Sequence, residues 1–216
     1  MEIFECENFK ILKLKLGPLS TNCYVVVDKL GYAVIVDFAD CNESLIEIFK
    51  NKQLKLKYVL LTHGHFDHIM GIASGTKILN ANSCVCINEL DKDFLTDSVK
   101  NASFGYNFKL NLSDFNLQTF SQDSEFELND DVKFKVISTP GHTKGSSSFL
   151  LNNEFLFTGD ALFKNSVGRT DLFSGDSNQM LKTIEKFKQL GSYLKVLPGH
   201  GSLTTLAKEF ECNPYF

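Results

Sequence analysis

Three of the chain's five histidines fall within one seven-residue segment, THGHFDH, at residues 62–68. The segment offers four side chains of the metal-binding type from a short stretch of backbone, namely His63, His65, Asp67 and His68. His63 and His65 are two residues apart, a spacing that points both rings to the same side of an extended backbone. Imidazole and carboxylate ligands together favour zinc, iron or manganese over calcium or magnesium. A polar loop with clustered histidines is the alternative, but the pattern predicts a metal site.

The remaining histidines and one further aspartate occur in similar settings. His142 stands in TPGHTKGS and His200 in LPGHGS, each after a predicted strand, and Asp160 ends the strand EFLFTGD. Any one of them alone could be structural, as a capping aspartate or a hydrogen-bonded core histidine. Seven such residues exceed the needs of one tetrahedral ion and suit two divalent ions that share a carboxylate. The expected ions are zinc, with iron or manganese as alternatives.

Hydrophobic periodicity predicts the strands that must position these side chains. In the first half, alternating or continuous apolar runs predict strands at residues 9–16, 23–28, 32–38 and 54–61. The last of these ends directly at Thr62, so the segment THGHFDH is the loop at the carboxyl end of a strand. In the second half, strands are predicted at residues 132–138, 147–151, 154–159 and 193–199.

Each half of the chain adds one amphipathic helix. Residues 42–52 predict a helix with Asn42 as its N-cap and with an inward face of Leu45, Ile48 and Phe49. Residues 177–190 predict a second helix, and its expected inward face is Met180, Leu181, Ile184 and Phe187. The stretch 88–131 is mixed and aromatic and supports only a coarse description. This order predicts an α/β fold in which helices flank a sandwich of two sheets, rather than a doubly wound sheet.

Length, composition and charge exclude several classes of protein. The 216 residues, 43% hydrophobic and 22% charged, suit one globular domain. A net charge of −4 argues against a nucleic-acid partner, whose binding requires a basic surface. Since the sequence has neither a membrane-spanning apolar run nor a signal-peptide pattern, we expect a cytoplasmic protein without a membrane partner. The oligomeric state is left open.

The six cysteines are expected to be reduced thiols in such a protein. Cys84 and Cys86 form a CVC pair whose side chains point to the same face of a strand. No second cysteine pair or nearby histidine completes a metal site there. Buried strand thiols are therefore the favoured interpretation.

Five motifs in order, THGHFDH, TPGHTKGS, FTGDALF, VGRTDL and LPGHGSLTT, resemble the metallo-β-lactamase superfamily, and most closely its glyoxalase II group. The resemblance covers nearly the whole chain. It implies a four-layer αβ/βα sandwich formed by residues 1–216 as a single domain, without the C-terminal helical domain that binds glutathione in longer glyoxalase II enzymes. It also implies two metal sites, the first formed by His63, His65 and His142, the second by Asp67, His68 and His200, with Asp160 as the bridge.

The same resemblance implies a reaction. A hydroxide that bridges the two metals would hydrolyse an S-acylglutathione thioester such as S-lactoylglutathione, with Asp67 orienting the hydroxide and accepting its proton. Arg169, the only arginine in the chain, would bind the glycyl carboxylate of glutathione through its planar guanidinium. The alternative for Arg169 is a local pair with Asp171. Lys144 is interpreted as a solvated loop residue.

Other functions remain open at this stage. A persulfide dioxygenase of the same family uses one iron held by two histidines and an aspartate. A lactonase or a phosphodiesterase on the same fold is a second possibility. A non-catalytic metal-binding module is least favoured, because such a chain is expected to have lost a ligand and none is missing.

Overall fold

Two β-sheets face each other in the computed structural model, which describes residues 2–106 and 109–216. Within those residues the first sheet has seven strands that lie side by side in sequence order. They are β1 (Glu2–Glu5), β2 (Phe9–Leu16), β3 (Thr21–Asp28), β4 (Tyr32–Val36), β5 (Lys55–Leu60), β6 (Cys84–Asn88) and β7 (Asn116–Phe120).

The second sheet is built from the later part of the chain, in the order β15-β14-β11-β10-β9-β8. A separate short hairpin, β12 with β13, lies between β11 and β14 in sequence. The strands are β8 (Glu125–Asn129), β9 (Val132–Ser138), β10 (Ser147–Leu151), β11 (Phe155–Gly159), β12 (Leu162–Phe163), β13 (Ser166–Val167), β14 (Lys195–Pro198) and β15 (Thr204–Thr205).

Helices connect the parallel parts of both sheets. β4, β5, β6 and β7 pair in parallel, as do β11 and β14, so the carboxyl ends of these strands lie at common sheet edges. Parallel neighbours need crossover connections, which helices commonly supply. The α-helices are α1 (Glu43–Asn51), α2 (Phe66–Ser74), α3 (Ser177–Lys188) and α4 (Leu206–Cys212). Short 3₁₀ turns cover Gly75–Lys77, Glu89–Leu95 and Leu112–Asp114.

Three apolar layers hold the sandwich together. The central layer joins the two sheets and includes Val26 and Leu60 from the first sheet with Phe149 and Phe157 from the second. A second layer lies between the first sheet and helices α1 and α2, and a third lies between the second sheet and helices α3 and α4. The predicted four-layer αβ/βα sandwich is confirmed. In the described part of the chain, none of the helices has both the length and the apolar character needed to cross a membrane.

The first predicted helix is confirmed with its cap, but one residue of the second helix was placed wrongly. Asn42 Oδ1 accepts a hydrogen bond from the Leu45 amide at 3.1 Å, as expected for the N-cap of α1. On α3, Leu181 is 56% exposed, whereas Thr183 is buried and its hydroxyl donates to the Pro140 carbonyl. At about 100° per residue, the buried residues Met180, Thr183, Ile184 and Phe187 span an arc of about 100°, and Leu181 lies about 60° beyond the edge of that arc marked by Ile184.

The stretch 88–131, of which residues 107 and 108 lie outside the described residues, contains more order than its sequence suggested. It includes the 3₁₀ turn Glu89–Leu95 and the strands β7 and β8. The neighbouring pair Cys84 and Cys86 lies on one face of β6 against the central layer, which confirms the predicted alternation. All six cysteines are free thiols.

Candidate metal centre

Both sheets contribute to one cluster of buried and half-buried histidines and aspartates. His63 and His65 lie in the loop after β5, and that loop leads into α2, whose first turn carries Asp67 and His68. The other three residues follow or precede strands of the second sheet, with His142 between β9 and β10, Asp160 directly after β11 and His200 after β14. The structure therefore brings together all seven residues that the sequence singled out.

The first group consists of His63, His65 and His142, all buried. Their potential ligand atoms lie within 4.8 Å of one another, and His65 Nδ1 is 2.8 Å from His142 Nε2. A neutral imidazole presents a lone pair on one nitrogen, so three such rings facing inward can hold a divalent ion.

The second group consists of Asp67, His68 and His200. His200 Nε2 is 3.1 Å from Asp67 Oδ2 and 3.3 Å from His68 Nε2. His68 Nε2 is also 3.5 Å from Asp67 Oδ2, so the three ligand atoms surround one small volume. This mixed set of imidazoles and a carboxylate suits zinc, iron or manganese.

Asp160 lies between the two groups. Its Oδ2 is 3.6 Å from His142 Nε2 in the first group and 3.6 Å from His200 Nε2 in the second. Its Oδ1 is 3.4 Å from His68 Nε2. A carboxylate in this position can contact ions in both groups at once.

Unpartnered buried atoms show that a divalent ion fits this cluster. His63 Nε2 and Asp160 Oδ1 are buried and make no hydrogen bond with any described residue. Buried polar atoms almost always have a partner, because leaving one unpaired costs free energy. A divalent ion would supply a partner for both atoms.

The protonation of the first group also suits metal binding. Burial and the neighbouring His142 together lower the pKa of His65 to about 3. Burial, together with His68 and His142, likewise lowers the pKa of His63 well below its ordinary value. Both rings are therefore neutral at physiological pH, and their lone pairs are available to an ion.

The second group has the opposite electrostatics. Burial alone would lower the pKa of His68, but the carboxylates of Asp67, Asp37 and Asp160 raise it well above its ordinary value. Burial also opposes protonation of His200, yet the hydrogen bond to Asp67 and the charge of Asp160 raise its pKa. An ion entering this group would displace protons from these rings.

Residues other than the seven of the cluster orient the histidine rings. The most important of them is Asp37, which was not among the site residues predicted from the sequence. Its Oδ1 accepts a hydrogen bond from the Thr62 amide at 2.8 Å, and its Oδ2 accepts one from the Thr62 hydroxyl at 2.9 Å. Asp37 Oδ2 also lies 2.9 Å from His68 Nδ1. Because its Nδ1 faces this carboxylate, His68 turns its Nε2 toward the cluster. The position of Asp37 could have indicated this role, because Asp37 directly follows β4 at the sheet edge from which the segment THGHFDH emerges.

Other contacts occupy the outward nitrogens of two more rings. The Thr62 hydroxyl donates to Asp37, so its contact at 3.0 Å with His63 Nδ1 is one in which the ring donates. His142 Nδ1 donates to the Arg169 carbonyl at 2.7 Å. These bonds select the tautomers that leave Nε2 of His63 and of His142 free to bind an ion.

Arg169 reaches the cluster through its backbone only. Its carbonyl holds His142, whereas its exposed guanidinium pairs with Asp171 through Nε–Oδ1 at 2.6 Å and Nη2–Oδ2 at 2.7 Å. This local pair was the alternative that the sequence left open. The hydrogen bond from Arg169 lowers the pKa of Asp171 to about 2, so the pair is ionised at neutral pH.

Comparison with known proteins gives a consistent result. Residues 16–200 match the Metallo-beta-lactamase superfamily. The chain is 35% identical over 199 residues to the hydroxyacylglutathione hydrolase GloC of Haemophilus influenzae, covering 90% of this chain and 92% of that protein. Among solved structures, it is similar to the BLEG-1 B3 metallo-beta-lactamase, with 32% identity, a TM-score of 0.84 and coverage of 95% of this chain and 98% of that one.

A second solved structure of similar fold contains metal ions. TTHA1623 in a di-iron-bound form is 29% identical, with a TM-score of 0.80 and coverage of 95% of this chain and 100% of that one. A protein of similar structure thus holds two iron ions.

Proposed function

Because the chain belongs to the metallo-β-lactamase superfamily of metal-dependent hydrolases, we propose that it is a thioester hydrolase acting on S-acylglutathione substrates such as S-lactoylglutathione. The observation that carries the hydrolase assignment is the pair of three-residue groups with Asp160 between them. The glutathione part of the proposal is supported by the similarity to the hydroxyacylglutathione hydrolase GloC.

In this proposal the seven residues hold two divalent ions. His63, His65 and His142 would bind the first ion and Asp67, His68 and His200 the second, with Asp160 shared between them. When bound, such ions supply an ionised water at neutral pH and a Lewis acid for the substrate carbonyl. Zinc suits these ligands, and iron and manganese remain candidates.

Asp67 is the proposed proton acceptor. Its Oδ2 accepts a hydrogen bond from the Thr21 hydroxyl at 2.9 Å and contacts His200. Although burial would raise its pKa, His68 and His200 lower it, so the carboxylate is ionised and able to accept a proton. Water adds to the acyl carbon, the carbon–sulfur bond breaks, and the products are a carboxylate, a thiol and one released proton.

Aromatic side chains beside the cluster would exclude water from the reacting group. The ring of Phe94 lies 5.9 Å from that of His65, and the exposed ring of Phe173 lies 5.8 Å from Phe94. The centre of the Tyr106 ring lies 4.6 Å from that of Phe66, the residue after His65, with the two rings tilted by 32°. These apolar surfaces suit the uncharged part of a thioester.

The main alternative is a persulfide dioxygenase with a single iron. The complete group of Asp67, His68 and His200 favours two ions and therefore hydrolysis. Lactones, phosphodiesters and β-lactams are the other substrates to be distinguished, since the same fold accommodates different chemistries.

A substrate panel on metal-counted protein tests the proposal. Protein with a known content of zinc, iron and manganese is assayed with S-lactoylglutathione, an uncharged small thioester, a lactone, a phosphodiester and a β-lactam. Oxygen consumption with glutathione persulfide is measured in parallel. We expect two ions per chain and the highest kcat/KM for S-lactoylglutathione. One iron per chain with oxygen consumption would instead identify a dioxygenase, and activity confined to another substrate would refute the thioesterase assignment.

A further inference from the structure

Asp91 is a fully buried carboxylate that none of the roles above uses. It lies in the 3₁₀ turn Glu89–Leu95, within the stretch whose sequence was least informative. Its Oδ2 accepts hydrogen bonds from the Gly64 amide at 3.2 Å and the Thr143 hydroxyl at 2.6 Å. Its Oδ1 accepts a third bond, from the Gly145 amide, at 2.9 Å.

These three donors belong to the two loops that carry the first ligand group. Gly64 lies between His63 and His65, and Thr143 follows His142 directly. One loop leaves the first sheet and the other joins strands of the second, so Asp91 connects the two sheets at the point where their histidines meet. The relative position of the loops sets the 2.8 Å contact between His65 Nδ1 and His142 Nε2.

Both loops approach the 3₁₀ turn too closely for a side chain. A Cβ atom at Gly145 would lie 2.5 Å from Asp91 Oδ1, and one at Gly64 would lie 2.4 Å from Phe94 Cβ. Real Cβ contacts are longer than this, so glycine is required at both positions for the loops to reach the turn.

We propose that Asp91 is a positioning residue for the first ligand group, because its carboxylate holds the His63–His65 loop and the His142 loop at the separation that lets the three rings bind one ion. This inference rests on the proposed metal centre. In the second group, Asp67 is held by Thr21 and His68 by Asp37, whereas the hydrogen bonds of Asp91 are made with the loops of the first group.

The fold does not depend on Asp91 alone. A backbone hydrogen bond of 2.8 Å from the Ser147 amide, at the start of β10, to the Thr62 carbonyl also joins the ends of the two loops. The chain without the carboxylate is therefore expected to fold, with looser loops. A variant that folds but binds metal more weakly at the first group would show that Asp91 has a positioning role and not a purely structural one.

The test is the affinity of each ligand group for Co²⁺, measured by competition with a chromogenic chelator. In a His200→Ala background, which leaves the first group intact, Asp91→Asn should weaken Co²⁺ binding by about 10- to 100-fold, the usual effect of losing a partner that orients metal ligands. In a His142→Ala background, which leaves the second group intact, the same substitution should have little effect.

Asp28→Asn is the matched control. Asp28 is also buried and also accepts three hydrogen bonds, from the Leu30 and Tyr32 amides and the Asn129 side chain, but it lies at the opposite end of β3 from Thr21. It should leave Co²⁺ affinity unchanged in both backgrounds. If Asp91→Asn does not fold, Thr143→Val removes one donor and Thr143→Ser retains it, and only the valine variant should weaken the first group.

The measured Co²⁺ affinities distinguish the inference about Asp91 from the proposed function. Equal loss of affinity in both groups, or in the Asp28→Asn control, would show that Asp91 is only structural. Unchanged affinity in the first group would overturn the inference while leaving two-metal binding by the wild type intact. A wild-type chain that binds no divalent ion would overturn the inference together with the proposed function.

Discussion

At the scale of single residues, Asp160 and Arg169 differ in how they relate to the cluster. The Asp160 carboxylate lies between the two ligand groups and has one buried oxygen without a hydrogen bond. The Arg169 side chain is on the surface and already paired with Asp171. A change at Asp160 should therefore act on metal, and a change at Arg169 should act on substrate.

Replacing Asp160 should disturb both metal sites, whereas replacing His200 should disturb one. We expect Asp160→Ala to lower ion content at both groups and to abolish turnover, because two cations would face each other without the carboxylate between them. His200→Ala should chiefly empty the second group. Elemental analysis together with turnover of S-lactoylglutathione checks this. Two retained ions with near-normal turnover in Asp160→Ala would contradict the bridging assignment.

Arg169→Ala should discriminate between charged and uncharged substrates. If the guanidinium binds the glycyl carboxylate, kcat/KM for S-lactoylglutathione should fall about 10- to 100-fold, since a hydrogen bond to a charged group contributes roughly 1.5–3 kcal/mol. An uncharged thioester should be little affected. Asp171→Asn is the matched control, because it frees the guanidinium and should not weaken the charged substrate. Equal losses on both substrates, with metal content unchanged, would assign Arg169 a structural role.

At the scale of elements, the two ligand groups have different partners and therefore different electrostatics. His63 and His65 sit in a loop among other imidazoles, which helps to lower their pKa values. His68 lies in the first turn of α2 beside Asp37 and Asp67, whose charges raise its pKa. The elements that deliver the ligands thus also set how strongly protons compete with metal in each group.

Metal binding should consequently depend on pH more steeply in the second group than in the first. Because their pKa values are raised, His68 and His200 hold protons to higher pH than ordinary histidines, and metal affinity is lost as pH falls through those pKa values. In the first group the pKa values of His63 and His65 are lowered, so protons compete less with metal for these two rings and the affinity should fall less over the same pH range. Calorimetric titration in buffers of different ionisation enthalpy measures the protons released by each ion. Equal proton release from both groups would contradict this difference.

The two faces of helix α3 should contribute differently to the free energy of unfolding. Ile184 is 1% exposed and Leu181 is 56% exposed, although both are large aliphatic residues on the same helix. We expect Ile184→Ala to lower the free energy of unfolding by about 2–5 kcal/mol. Leu181→Ala should change it by less than about 0.5 kcal/mol. Urea denaturation of the two variants provides the measurement, and similar losses would mean that the helix is packed differently.

At the scale of the whole molecule, the candidate metal centre lies between the sheets and takes ligands from both. Residues 63–68 follow the first sheet, whereas His142, Asp160 and His200 belong to connections of the second. Bound ions would therefore add a cross-link between the halves of the sandwich. Stability and metal content should change together.

Removing metal should destabilise the whole fold. An ion present at about 100 times its dissociation constant adds roughly 2.7 kcal/mol to the free energy of unfolding, so treatment with a chelator should lower Tm. The shift should be smaller in His200→Ala, which starts with the second group already weakened. Thermal unfolding with and without chelator, followed by re-addition of zinc, checks the effect. An identical Tm for metal-loaded and metal-free wild type would show that metal does not couple the sheets.

The sequence by itself determined strands β2–β5, β9–β11 and β14, helices α1 and α3, and the seven residues of the cluster, because these depend on local periodicity and on residue type at strand ends. Only the tertiary structure decided how His63, His65 and His142 are held, since Asp91 contacts Thr143 across 52 residues and Asp37 contacts Thr62 across 25. It likewise placed Leu181 outside the core and paired Arg169 with Asp171. Such contacts depend on which distant segments meet when the two sheets pack, and no local pattern records that choice.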